Sequence, residues 1–326
     1  MQSIKNAITF CDSISLKIMP SFWKIMKIKL LVVSFIMMYK SFLALLSQIS
    51  NKNLYKNLKG KVAIITGGTD GIGKELAINL KRRGIQVIIT GRNQEKLEKT
   101  VEEINSNKKD EEKSVKGIKL DMNEDFSVAK LEEAFKEIDL KEVGILFNNA
   151  GVSSEHPMFL FEETRIDEII TVNNLNLVKL TQFMVKNFLE SKSNTKKYII
   201  NTGSFTADLP CSFISVYGAS KSFLKSFSRS LYHELGPLNI HTEYIDTGFV
   251  STKMSRKRPS FMTPSSSDFA ECILNTIGSL SVNAAYLPHS IIFMVAQFMP
   301  NFILGKLVYL TNSSVRIKAI KRNKKD

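Results

Sequence analysis

The chain has 326 residues, 44% of them hydrophobic, with 45 Lys and Arg against 31 Asp and Glu for a formal net charge of +14. Residues 1–60 hold nine Lys and one Asp, residues 301–326 hold five Lys, two Arg and one Asp, and 29 basic residues face 29 acidic ones in between. A neutral central body excludes a general nucleic-acid surface, whereas basic ends beside apolar segments suit a membrane surface.

In chain order, the first feature is the apolar stretch Leu30 to Ile49. At about 1.5 Å per helical residue it can just cross a hydrocarbon core of about 30 Å. Lys40 near its middle costs about 2.5–3.5 kcal/mol, which roughly nine strongly apolar residues offset at about 0.3–0.6 kcal/mol each. A membrane anchor or hairpin is expected, with an amphipathic surface helix as the alternative. The apolar part starts too late, and lacks a small-residue site, for a cleaved signal peptide. Lysines flank it on both sides, so charge sets no orientation.

Val62 to Ile65 is a short β-branched run of the kind that forms a buried parallel strand. Thr66-Gly67-Gly68-Thr69-Asp70-Gly71-Ile72-Gly73 follows, and a helical pattern runs from Ile72 through Leu76, Ala77 and Leu80 to a stop at Gly84. Strand, glycine turn and helix form a nucleotide-phosphate site, because glycine lets backbone approach a pyrophosphate and a helix N-terminus offers free N–H groups. Gln86 to Thr90 reads as the next strand, ending at Gly91-Arg92-Asn93. No Asp or Glu lies between Gly84 and Gln94 to bind a ribose 2′-hydroxyl, so NADP is expected over NAD, with Arg92 on the 2′-phosphate. The alternative is that Arg92 only opens the following helix on a solvated face.

Ile118 to Asp121 and Val143 to Asn148 read as further strands, separated by an amphipathic helix around Val128 to Ile138 and preceded by a charged linker, Asn105 to Lys113. This alternation implies an α/β fold with a doubly wound parallel sheet, a Rossmann fold. A long helical pattern spans Ile166 to Leu189, and Tyr198 to Gly203 reads as a central strand that ends at Ser204. Tyr217 and Lys221 follow Ser204 by thirteen residues and are four apart. Tyr55 and Lys59 repeat that four-residue spacing, but they precede the glycine turn with no matching serine, and are read as linker. A second apolar region, Ile291 to Leu310, is broken by Pro300 and Lys306. It is expected to lie in an interface or roof a hydrophobic pocket, or else to close the domain as a packed helix. Three segments are therefore expected: 1–56 with the anchor, 57–290 as the nucleotide-binding domain, and 291–326 as an apolar extension with a basic tail.

With these landmarks in order, the chain resembles the short-chain dehydrogenase/reductase family over roughly residues 60 to 255. The family's cofactor turn is matched by Thr66, Gly67, Gly71 and Gly73, its Asn-Asn-Ala-Gly by Asn148 to Gly151, and its catalytic tetrad by Asn173, Ser204, Tyr217 and Lys221. The resemblance implies cofactor contacts from Thr66, Gly67, Thr69, Asp70, Gly71, Ile72 and Gly73, and from Asn149, Ala150 and Gly151. It adds Gly248 and Val250, places Asp121 by the adenine, Thr252 by the nicotinamide amide, and Lys221 on the nicotinamide ribose. It also implies that Asn173 holds a relay water, against the alternative of a local helix kink. The family's usual Pro-Gly before Thr252 reads Thr247-Gly248 here, which leaves that turn open.

The side chains themselves argue the chemistry. A ketone that accepts hydride at carbon needs a proton at oxygen, and a phenol with an ordinary pKa of about 10 is a sluggish donor at neutral pH. Residues at i and i+4 share a helix face, so the Lys221 ammonium is expected to favour the Tyr217 phenolate and lower its pKa. Ser204, offered at a strand's C-terminal end, is expected to hydrogen-bond the developing oxyanion.

Within the family the chain is most similar to the membrane-bound very-long-chain 3-oxoacyl-CoA reductases and related 17-beta-hydroxysteroid dehydrogenases. The matching residues are Thr69 to Lys74, Gly203-Ser204-Phe205 with Leu209-Pro210, Tyr217 to Leu224, and Val250 to Met254. That resemblance implies NADPH-dependent reduction of a 3-oxoacyl-CoA at the endoplasmic reticulum membrane. The catalytic domain would face the cytosol, with membrane lipids and other fatty-acid elongation enzymes as partners and the oligomeric state left open. The tail Arg322-Asn323-Lys324-Lys325-Asp326 is loosely similar to a retrieval signal of that compartment. Lys253, Arg256, Lys257 and Arg258 are expected to meet the phosphates of coenzyme A, or else to form a solvated loop. A steroid ketone on the same machinery is the first alternative and a non-catalytic membrane scaffold the second. Cys11, Cys211 and Cys272, like the four histidines, lack metal or redox spacing, so reduced thiols and no metal are expected.

Overall fold

The computed structural model describes residues 52–106, 114–191, 194–278 and 282–323, together with positions 24, 28, 31 and 35. The chain divides into two compact units, 1–46 and 47–326. The expected anchor falls almost wholly outside the described residues, as do Cys11, most of the charged linker before the third strand and the last three residues of the tail. Among the described residues no helix is long and apolar enough to cross a membrane.

The larger unit is built on seven parallel strands: β1 (Val62–Ile65), β2 (Gln86–Gly91), β3 (Val115–Lys119), β4 (Val143–Asn148), β5 (Lys197–Thr202), β6 (Ile240–Ile245) and β7 (Val282–Asn283). Their order is β3-β2-β1-β4-β5-β6-β7. The connection direction reverses between β1 and β4, and open α/β sheets bind ligands at such a switch point, beyond the strands' C-terminal ends. The residues that emerge there are Thr66 after β1, Asn148 at the end of β4 and Ser204 after β5.

Alternation along each strand feeds two separate cores. Ala63, Ile65, Val87, Ile89, Ile145 and Phe147 face one side, with Leu76, Ala77 and Leu80 of α2 (Gly71–Arg82) and Phe269 of α8 (Ser266–Thr276). Ile64, Ile88, Leu146 and Ile199 face the other, with Leu180 and Met184 of α6 (Asn176–Glu190). Both faces are covered, so β1 and β4 are buried at every residue, which is why they read as unbroken apolar runs. β3 is the exception: at the sheet edge it exposes Lys116, Gly117 and Lys119. Its polar alternation hid its start, expected at Ile118 and found at Val115.

Two sequence expectations are corrected in this frame. Lys52–Leu58 is a helix, α1, rather than linker: Leu54 and Leu58 are buried, and Leu58 packs where a side chain on Gly144 of β4 would stand. Tyr55 of the decoy pair lies under the Arg83 guanidinium, 5.2 Å from the ring centre. At the other end, the expected boundary at 290 falls inside α9 (Leu287–Phe298), which is followed by α10 (Asn301–Asn323). Phe293 and Leu304 are buried against the body while Ile291 and Phe302 are exposed, so this region closes the domain on one side and offers apolar surface on the other.

Candidate active site

The glycine turn is held by hydrogen bonds from the chain that follows β4. Thr66 Oγ1 donates to Phe147 O and accepts from the backbone N–H groups of Asn149 and Ala150 at 3.0 Å each. Asn149 Nδ2 donates to Thr66 O and Gly67 O. Gly67 has φ +66°, and a Cβ on Gly73 would lie 2.5 Å from both Asn149 Nδ2 and Gly67 O, so neither position admits a side chain. Asp70 caps α2 by accepting from Gly71 N, and Lys96 and Lys253 converge on its carboxylate at 2.8 and 3.1 Å. Burial works to raise the Asp70 carboxyl, but the two lysines outweigh it and hold the group below its ordinary value.

A second cluster lies beyond the ends of β4 and β5. Tyr217 and Lys221 belong to α7 (Ser215–Leu235), and the Lys221 Nζ stands 5.8 Å from the centre of the Tyr217 ring. Lys221 donates to Thr202 O at 3.0 Å, and a Cβ on Gly151 would meet its Nζ at 3.5 Å. Ser204 Oγ accepts from Thr206 N and from Thr206 Oγ1, at 3.3 and 2.9 Å, and lies near enough to Tyr217 to favour its phenolate. Asn173 sits in a π-helical turn, Thr171–Leu175, between α5 (Ile166–Ile170) and α6. Its amide accepts from Val152 N and donates to Val152 O and Ser220 Oγ. The long helix expected here is present, continuous through a π-helical turn at Asn173, with the side chain committed to the neighbouring loop and to α7.

The electrostatics differ from expectation at one point. Burial pushes the Tyr217 phenol up, with the Ser204 hydroxyl opposing, so the net direction is upward. The ammonium is itself buried, which lowers its own pKa to about 8, and it is turned onto the Thr202 carbonyl. Nearby, burial pushes the Cys211 thiol up to about 12, so it remains an unreactive thiol.

A family model described as short chain dehydrogenase matches residues 61–262, which takes in the glycine turn and the whole of this cluster. The chain belongs to the short-chain dehydrogenase family. A very-long-chain 3-oxoacyl-CoA reductase of Bos taurus is 30% identical over 270 residues, covering 81% of this chain and 84% of the relative. Two solved structures share the fold at 24% identity. One is a short-chain dehydrogenase from Sphingobium yanoikuyae in complex with NADPH, with TM-score 0.56 over 66% of this chain and 83% of that one. The other is a 3-ketoacyl-(acyl-carrier-protein) reductase from Brucella melitensis complexed with NADH, with TM-score 0.58 over 68% and 95%.

As a short-chain dehydrogenase the protein is an oxidoreductase, and its remaining predicted residues can be placed. The glycine turn fits a dinucleotide: its backbone is side-chain-free at Gly67, Gly71 and Gly73, it opens a helix N-terminus, and two ammonium groups stand beside it. Thr252 faces that turn, its methyl 3.2 Å from where a Cβ on Gly71 would be. Ile72 packs on the core beside the turn, Thr69 packs on Gly91, and Val250 is itself a core residue, which leaves only its backbone for a ligand. Gly248 donates its N–H to the buried His289 of α9. Asp121 accepts from Asn123 N. Arg92 is mostly exposed after β2, its guanidinium 3.6 Å from Glu168, whose carboxylate Arg165 already holds at 2.6 Å.

The side chains of the basic cluster after Thr252 point to different partners. Lys253 bonds Asp70, and the Lys257 ammonium rests 3.6 Å from the centre of the Phe249 ring. Sequence reasoning missed the particular aromatic contacts beside the cluster, since they join segments far apart in the chain. Phe213, with φ +68°, lies between Phe159 and Tyr309 at 5.0 and 5.1 Å, and Phe205 stacks on Phe293 at 4.8 Å. Asn312 donates to Ser212 O, and Arg316 bonds Glu162. Only the strained, non-glycine Phe213 had a local cause, and its φ is not written in its residue type.

Proposed function

We propose that the protein reduces 3-oxoacyl-CoA to 3-hydroxyacyl-CoA with NADPH, the reductive step that follows chain extension in very-long-chain fatty-acid elongation. The observation that carries this reading is the likeness to the Bos taurus reductase along four-fifths of both chains, with Ser204, Tyr217 and Lys221 brought together inside the matched region. The structural neighbours bound to NADPH and NADH support a nicotinamide cofactor, and the lack of an acid after β2 together with Arg92 favours NADPH. When bound, the cofactor supplies the hydride.

The residues then divide the work. Tyr217 gives its proton to the substrate oxygen, and its raised pKa keeps that proton in place until the oxygen becomes basic. Ser204 has its oxygen occupied by two donors from Thr206, which leaves its own proton to bond the oxyanion. Lys221 stands near enough to the Tyr217 ring to stabilise the phenolate once the proton has left. Asn173 fixes Val152 and Ser220, and so the floor of the site. The apolar walls at Phe159, Phe213 and Tyr309 suit an acyl chain.

We further assign the protein to the endoplasmic reticulum membrane, with its catalytic domain on the cytosolic side. The apolar stretch Leu30 to Ile49 and the exposed Leu287, Ile291, Val295 and Phe302 support contact with lipid.

The test is NADPH oxidation by membranes containing the protein, offered 3-oxostearoyl-CoA or a 17-keto steroid, with Tyr217→Phe as control. We expect turnover of the acyl-CoA, falling about 10²–10⁴-fold in the variant. Turnover of the steroid alone would move the protein to a different substrate class, and silence with both would leave a non-catalytic scaffold.

A further inference from the structure

The serine that follows β5 is held in an unusual way. The β5–β6 ladder runs to Thr202 opposite Ile245, and Gly203 N still reaches Ile245 O at 2.9 Å. Further along, Phe205 N reaches Thr247 O at 3.1 Å. Between them, the backbone of Ser204 bonds a side chain instead: Ser204 N donates to the Tyr244 hydroxyl at 2.8 Å, and that hydroxyl donates to Ser204 O at 2.8 Å. One phenol thus bonds both main-chain groups of the residue whose side chain faces Tyr217, and the carbonyl also accepts from Ala207 N at 3.0 Å.

The neighbours of Tyr244 show that the place is built for it. A Cβ on Gly203 would lie 1.9 Å from the Tyr244 Cζ and 2.2 and 2.4 Å from its flanking carbons, so the ring fills the space that any side chain at 203 would need. Tyr244 is fully buried and packs with Leu177 and Leu224. The Lys225 ammonium stands 5.5 Å from the ring centre, pinned by Asp208 and Asp246. Burial raises the Tyr244 phenol far above its ordinary value, so the group keeps the proton that it must donate.

We propose that Tyr244 is a positioning residue for Ser204: it fixes the peptide planes on both sides of the serine and thereby aims Oγ at Tyr217 and the substrate oxygen. Gly203 is the necessary counterpart, since only a residue without Cβ admits the ring. The inference rests on the reading of Ser204 given above. It goes beyond that reading because it assigns the orientation of the serine to a buried side chain on the next strand, one that touches neither substrate nor cofactor.

The experiment is a double-mutant cycle of Tyr244→Phe and Ser204→Ala, followed by NADPH oxidation with 3-oxostearoyl-CoA and by NADPH binding. Loss of an oxyanion donor costs about 10²–10³-fold in kcat, and a misdirected one should cost at least about 10-fold. We expect Tyr244→Phe to lower kcat by that amount with KM and NADPH affinity within about 2-fold, and Ser204→Ala to cost much less when combined with Tyr244→Phe than alone. A merely structural Tyr244 would lower the unfolding midpoint, leave kcat unchanged and make the two substitutions additive, which would overturn the inference. If Ser204→Ala alone left turnover intact, the reading of Ser204 would fail and this inference with it. Should Tyr244→Phe not fold, hydrogen exchange on the wild-type chain decides. A Ser204 amide as protected as those of β5 supports the clamp, and rapid exchange there overturns it.

Discussion

Lys221 is buried with its ammonium on a backbone carbonyl rather than a carboxylate, and its pKa falls to about 8. The free enzyme therefore loses this cation as the pH rises through about 8. If the lysine grips the cofactor ribose, NADPH affinity should weaken in a single step near that pH. A titration of binding between about pH 7 and about pH 9.5 checks this, and Lys221→Met should bind weakly throughout with no step. Arg92 makes a separate prediction, because Glu168 lies too far from it for a full hydrogen bond. Arg92→Ala should raise the Kd for NADPH about 10–100-fold, the worth of a charge-assisted contact of about 1.5–3 kcal/mol, and leave NADH unchanged. Equal losses with both cofactors would end its assignment to the 2′-phosphate. Tyr217, Lys221 and Ser204 were legible at this scale because one helix turn and one strand end set their spacing. Thr206 was not: a threonine two residues past a serine carries no signal until the 3₁₀ turn Phe205–Asp208 brings its hydroxyl back.

Among the elements, β1 and β4 were plain in the sequence since strands covered on both faces tend to read as apolar runs. β3 was misplaced because an edge strand is exempt from that tendency, and α1 was taken for linker because its short, lysine-rich sequence carries little more than Leu54 and Leu58 to bury. β5 also carries a buried cation at its start. Lys197 donates to Lys141 O and Val143 O at 3.0 and 2.8 Å, and burial lowers its pKa from 10.5 to about 8. A lysine depressed in the folded state destabilises it while charged, and between about pH 8 and about pH 10.5 the unfolded chain binds more protons than the folded one. Stability should therefore rise with pH across that window, with Lys221 acting in the same direction. Denaturant midpoints measured over the window should show this slope, and Lys197→Met should flatten it by about half; an unchanged slope would mean that the lysine is not the group responsible.

Across the whole larger unit, the last helix ties together the loops that follow β4 and β5. α10 meets the loop after β4 through Arg316 and Glu162, and the loop after β5 through Asn312 and Ser212 and through Tyr309 and Phe213, while the glycine turn is held by other segments. Removing residues 301–326 should therefore raise KM for 3-oxostearoyl-CoA about 10-fold, roughly the sum of one or two hydrogen bonds and an aromatic contact, with NADPH affinity within about 2-fold. A matched loss of both would show that the helix supports the fold at large. The sequence by itself determined the parallel α/β architecture, the strand–glycine turn–helix unit and the spacing of Tyr217 and Lys221 on one helix face, because each depends on local periodicity or on short spacing along one element. Tertiary structure alone decided that Tyr244 holds Ser204, that Lys253 turns to Asp70, and that α10 meets the loops after β4 and β5 at Glu162, Ser212 and Phe213. Those contacts join residues tens to more than a hundred positions apart, and which of them meet is set by how helices pack on the twisted sheet, a property that no single segment contains.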